Sequence, residues 1–194
     1  MFRILVAVVA LATGSVALPQ ASDTGWQGEF LAPTANAGMV LGWINPRDPT
    51  MREFVARGET VKDWTRMLTV QTLPWRMGLT PTGVLRMVAN GMEAACGGAT
   101  SSPIDAATLD GRDGATIRVD CPRNPQTGKA ETMFARAVQG DRSITMVQAA
   151  VRRAPAAEDV AWATQVLSSL TFCGEADQSG RCGTLRSGQV GKPL

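Results

Sequence analysis

The sequence predicts an α+β fold, an antiparallel sheet packed with helices in the order β-β-α-α-β-β-β-α. Three observations carry that reading. Period-two alternation marks the second half, where Ala115, Ile117, Val119 and Cys121 alternate with Thr116, Arg118 and Asp120. Apolar residues recur at helical spacing after Thr60, after Thr80 and after Pro155. Strands and helices come in runs rather than in βαβ repeats, as in a meandering sheet. Hydrophobic residues at 44% and charged residues at 19% are an ordinary globular balance for 194 residues.

The N-terminus reads as an address. Met1–Phe2–Arg3 is a short charged start, and Ile4–Ala12 is an unbroken apolar run. That run is too short for a span, which needs about 20 residues. Ser15–Val16–Ala17 then offers small residues at −3 and −1 of a cleavage site. Residues 1–17 are therefore expected to be a signal peptide and residues 18–38 a loose lead-in. Residues 39–173 would form a single α+β domain, with 174–194 a Gly/Ser/Arg-rich disordered tail. A periplasmic or secreted protein without a transmembrane anchor is the expectation.

Met39–Asn45 and Arg52–Arg57 read as a hairpin around Asn45–Pro46–Arg47–Asp48–Pro49. Thr60 with Asp63 resembles a capping box, and Val61, Trp64, Met67/Leu68 and Gln71 follow at helical spacing. A helix over Thr60–Thr72, ended by Pro74, is expected, with Trp64 in the core. Thr80 as N-cap and Pro81 at N1 open a second helix, whose face is Leu85, Val88, Met92 and Ala95/Cys96. Ala115–Cys121 is a half-buried strand, and Glu131–Val138 pairs with Ser143–Arg152 across Gly140–Asp141. Glu158 and Asp159 suit the start of a last helix, with Val160, Ala163, Val166/Leu167 and Leu170 inward.

Three stretches carry a resemblance. Gly58–Glu59–Thr60 through Trp64–Thr65, Met67 and Thr69–Val70–Gln71 is one; Thr127–Gly128–Lys129 with Glu131 is the second; Val147–Gln148, Ala150 and Arg152 is the third. Together they resemble an uncharacterised family of exported proteobacterial proteins, over roughly residues 52 to 173. That family implies no activity. The topology is also similar to the PsbP-type α/β/α sandwich, which implies a binding or assembly fold.

Composition excludes several chemistries. There is no histidine, which removes Ser-His-Asp and Cys-His catalysis, HExxH zinc sites and proximal-His haem. A net charge of +2, with sixteen scattered arginines against three lysines, argues against a nucleic-acid partner. Asp110–Gly111–Arg112–Asp113–Gly114 lacks the register of a calcium loop. Lys62, Lys129 and Lys192 sit in no S-x-x-K motif, and Gly128–Lys129 lacks the rest of a phosphate loop. Nothing in the spacing of Glu53, Glu59, Asp63 or Glu93 demands a glycosidase-type carboxylate pair. No catalytic residue, metal ligand or cofactor is assigned.

Trp75, Arg76 and Met77, between the two expected helices, form either a contact patch or a plug closing the core. The four cysteines allow three connectivities. Cys96 ends the second helix on its apolar side, and Cys121 lies on the inward face of its strand. Packing one on the other favours Cys96–Cys121, leaving Cys173–Cys182 to pin the tail. The absence of a CxxC pair argues against zinc. The expectation is a non-catalytic binding or assembly protein for an unknown protein or small ligand of the cell envelope. The alternative is a histidine-independent, carboxylate-based hydrolase acting on envelope substrates.

Overall fold

A computed structural model describes residues 26–33, 38–76, 78–178 and 180–186. Its elements, in chain order, are β1 (Phe30–Ala32), β2 (Met39–Ile44), β3 (Arg52–Ala56), β4 (Arg66–Pro74), α1 (Pro81–Ala95), β5 (Thr100–Ser101) and β6 (Asp105–Leu109). Then follow β7 (Arg112–Cys121), β8 (Glu131–Gln139), β9 (Ser143–Val151), α2 (Ala157–Ser168), β10 (Thr171–Cys173) and α3 (Gly180–Arg186). The main sheet runs β2-β3-β4-β9-β8-β7, and β7 carries β5 and β6 on its outer edge. Every pairing is antiparallel. The fold class is the one the alternation predicts.

Helices cover both faces, giving three layers. On one face α1 presents Val84, Leu85 and Ala89 to Ala115, Ile117, Val119, Met133, Ala135, Ile144 and Met146. On the other, Trp162, Ala163 and Val166 of α2 pack on Leu68, Val70, Val147, Ala149 and Val151. β9 is buried on both faces because it lies at the centre. Thr80 caps α1 by accepting the Gly83 N–H at 3.0 Å, and Pro81 opens it.

The expected helix over Thr60–Thr72 does not form. Thr60 and Asp63 do bond to each other, with the Asp63 N–H reaching Thr60 Oγ1 at 3.2 Å, but they close a turn. The chain then becomes strand β4. Thr69, Val70 and Thr72 are β-branched and favour a pleated sheet. β4 also sits between two strands, with Met67 on one face and Leu68 on the other both buried, which mimics helical spacing.

The lead-in and the tail both contribute to the core. Trp26, Phe30 and Leu31 are buried, and β1 pairs with β10 in a separate two-stranded sheet. Within the expected tail, α3 is helical and Cys182 is buried. Arg186 bonds the carbonyls of Asp177, Trp26, Gly28 and Gly174, tying α3 to the segment that leads into β1. Apolar periodicity is absent there because a disulfide and an arginine, rather than an amphipathic face, hold the segment. Cys173 is bonded to Cys182 with Cα atoms 5.5 Å apart, and Cys96 to Cys121 with 5.9 Å. This is the pairing favoured from the sequence. The expected signal peptide lies outside the described residues. Among those described, no helix is long and apolar enough to cross a membrane.

Candidate functional site

The register places one row of residues across six strands on the α1 side: Trp43, Glu53, Thr69, Gln148, Ala135 and Ile117. α1 covers Ala135 and Ile117. The rest of the row has no such cover. Trp43 is 37% exposed, and Glu53, Thr69 and Gln148 are half-buried. Gln71, on the same face of β4, lies opposite Met146 and is half-buried too.

A bulge puts Trp43 there. Pairing shifts between Leu41 and Trp43, so Leu41 faces the α2 core while Trp43 turns to the α1 side, opposite Glu53. Gly42 occupies the bulge at close quarters. A Cβ would stand 3.0 Å from Val61 Cγ1 and 3.2 Å from Val55 Cγ2.

The three resembling stretches converge beside this strip. Trp64, Val55 and Met67 form a small cluster with Val40, Val61 and Ala150. Glu59 closes the turn by accepting from the Thr65 N–H at 2.9 Å and its hydroxyl at 2.7 Å. Arg152 holds that corner. Its N–H reaches the Thr65 carbonyl and its Nη1 the Lys62 carbonyl, both at 3.0 Å. Its Nε reaches Glu131 Oε1 at 3.1 Å, and its guanidinium lies 4.0 Å over the Trp64 ring. Thus Glu59, Trp64, Glu131 and Arg152 lock the end of the sheet. Thr69, Gln71 and Gln148 have no such task.

Electrostatics separates Glu53 from the other acids at the sheet. Burial pushes its carboxyl above the ordinary value, and no hydrogen bond or cation offsets that. Asp159 is the opposite case. Burial pushes it up, but hydrogen bonds from Arg153, Arg66 and the Ala156 N–H outweigh burial and hold it below the usual range. Among the described residues, Glu53, Thr69, Gln71 and Gln148 make no side-chain hydrogen bond or ion pair. A half-buried polar group without a partner keeps a desolvation cost that a ligand can relieve.

Of the residues expected at a contact patch, Trp75 is 52% exposed and Arg76 is exposed. Trp75 does not plug the core, and its N–H is bonded to the Arg142 carbonyl at 2.8 Å. Met77 lies outside the described residues. The open strip was missed because the wrong element for β4 hid the register that aligns Glu53, Thr69 and Gln148. The Val-Gln pairs at Val70–Gln71 and Val147–Gln148, apolar then polar, are its visible trace, though Val138–Gln139 repeats the pair outside the strip. No described group of three or more Cys, Asp or Glu side chains could hold a metal ion.

No protein-family model matches the sequence, and no curated protein is detectably similar to it. Solved structures do match. Cyanobacterial PsbP (CyanoP) from Synechocystis has a TM-score of 0.51 at 12% identity, over 80% of this chain and 99% of that one. LpqN, involved in cell envelope biogenesis of Mycobacterium tuberculosis, has 0.50 at 15%, over 78% and 86%. A point mutant of Mog1 has 0.50 at 12%, over 75% and 90%. At such identities the likeness concerns the fold. The chain has the antiparallel, helix-covered architecture that PsbP, LpqN and Mog1 share.

Proposed function

We propose that this is a non-catalytic binding or assembly protein of the cell envelope, exported by residues 1–17, which engages its partner through the strip of Trp43, Glu53, Thr69, Gln71 and Gln148. One observation carries the reading: half-buried polar side chains line an uncovered sheet face and have no partner within the described chain. Such groups weaken a monomer and strengthen a complex that satisfies them. The two disulfides support an oxidising compartment, and LpqN offers an envelope-related precedent for the fold. The three motif stretches support membership of the exported proteobacterial family. The hydrolase alternative needs two facing carboxylates, whereas Glu53 has Trp43 and Thr69 as its cross-strand neighbours.

The test is a photo-crosslinking amino acid at Gln148 of the full chain, expressed in its native envelope. Discrete adducts are expected there and not from Gln165, exposed on α2. Equal labelling from both positions, or none from Gln148, overturns the proposal.

A further inference from the structure

Arginine meets tryptophan and a carboxylate twice inside this protein. Arg152 lies 4.0 Å over the Trp64 ring and bonds Glu131 at 3.1 Å. Arg66 lies 5.2 Å over Trp162 and bonds Asp159 at 2.7 Å. A third indole, Trp26, lies 4.4 Å beneath Arg52. Planarity explains the preference: a guanidinium stacks flat on an indole while its edge donates to an acid. Trp43 and Glu53 repeat the indole-and-carboxylate half of that arrangement. They are directly opposed on adjacent strands, which brings their Cβ atoms to about 5 Å. None of the described arginines stacks on Trp43 or pairs with Glu53.

We infer that Trp43 and Glu53 form a receptor for an arginine side chain presented by a partner protein. Charge complementarity selects the occupant. Glu53 is an acid on a half-buried surface without a cation, and the indole beside it favours a flat cation over an ammonium. The amides of Gln71 and Gln148 and the hydroxyl of Thr69, next along the floor, supply donors and acceptors for the backbone that carries the arginine. On the α1 side, Arg86, Asn90 and Glu93 overlook Ser101–Pro103 at the sheet edge. Helical spacing puts Met87, which is 58% exposed, and Gly91 on the opposite flank of α1. This assignment rests on the strip being the binding surface.

The experiment follows the Trp43 indole N–H resonance of the full chain during titration with an acetylated, amidated Gly-Arg-Gly peptide. Its citrulline counterpart, equal in shape but uncharged, is the comparison. Saturable movement of the Trp43 signal is expected with the arginine peptide, and binding at least fivefold weaker with citrulline. E53Q, nearly isosteric and safe for folding, should weaken the arginine peptide at least fivefold and leave the citrulline peptide unchanged. W75L should change neither. Equal binding of the two peptides, an unaltered E53Q, or movement at Trp75 in place of Trp43 overturns the inference. So does a Trp43 signal that depends on protein concentration alone, since the occupant would then be a second copy. Crosslinking at Gln148 is independent of charge, so adducts there without arginine selectivity would sink this inference and spare the binding surface.

Discussion

Glu29 and Glu53 show what a carboxylate does when it has partners and when it has none. Glu29 is buried and accepts the Asp141 N–H at 2.8 Å, the Arg142 N–H at 3.1 Å and the Ser143 hydroxyl, which pins the β8–β9 turn. Gly140 must be glycine there, because a Cβ would fall 2.2 Å from Glu29 Oε2. Replacing Gly140 by alanine should cost about 1–3 kcal/mol by overpacking, read as a lower urea midpoint with an unchanged slope. Glu53 is expected to behave the other way. Its folded pKa is raised, so its contribution is present below the unfolded pKa and lost as pH rises through the folded one. E53Q should therefore stabilise the free protein at pH 8, by less than about 1 kcal/mol since solvent screens a half-buried group. Asp159 has the opposite sign: its folded pKa is lowered, so its contribution is present above the unfolded pKa and lost as pH falls through the folded one. Asp159→Asn should lose about 3 kcal/mol at pH 7, and the loss should shrink as pH falls below the ordinary carboxylate value, by chemical denaturation along a pH series.

At the scale of elements, the disulfides do different work. Cys96–Cys121 joins the end of α1 to a sheet strand over 25 residues, and Cys173–Cys182 closes a span of 9. Chain entropy assigns about 3.5 kcal/mol to the first loop and about 2.6 to the second. The double variant C173S/C182S should therefore destabilise less. Its distinctive effect should be local: α3 would release the Arg186 clamp on Trp26, Gly28 and Gly174. Limited trypsin digestion should then cut at Arg181 or Arg186 while the sheet survives. Cutting within β4 or β9 at the same rate would show that the clamp is part of the global core. Here sequence reading succeeded where chemistry is local, as at Thr80–Pro81, and where an alternating face is half-buried, as at Ala115–Cys121. It failed at Thr60–Thr72, because the turn at Thr60–Asp63 imitates a helix cap and the adjacent buried pair Met67 and Leu68 imitates helical spacing. It missed β1 and β10, which pair over a long range, α3, which a disulfide and Arg186 hold, and the short edge strands β5 and β6.

For the whole molecule, the two helix-covered faces leave one part of the sheet without a helix among the described residues. α1 covers the β7–β8 side and the Trp64 corner covers one end of β3–β4, so the strip lies between them. Mature protein from the envelope should begin near Leu18, which N-terminal sequencing checks, and intact Met1 in exported material would refute the signal-peptide reading.

The sequence by itself determined the α+β class, the α1 cap and the central hairpin, and it favoured the cysteine pairing that the structure shows. These follow from periodicity, turn chemistry and capping, all of which act over a few residues or through one face. It also excluded histidine chemistry outright, since an absent side chain needs no geometry. Only the tertiary structure decided that Trp43, Glu53, Thr69 and Gln148 stand in one row, because register joins four strands that lie up to 105 positions apart. The bulge at Gly42 completes that decision. Shifting the pairing by one residue turns Trp43 from the α2 core to the open face, and no local propensity encodes that choice.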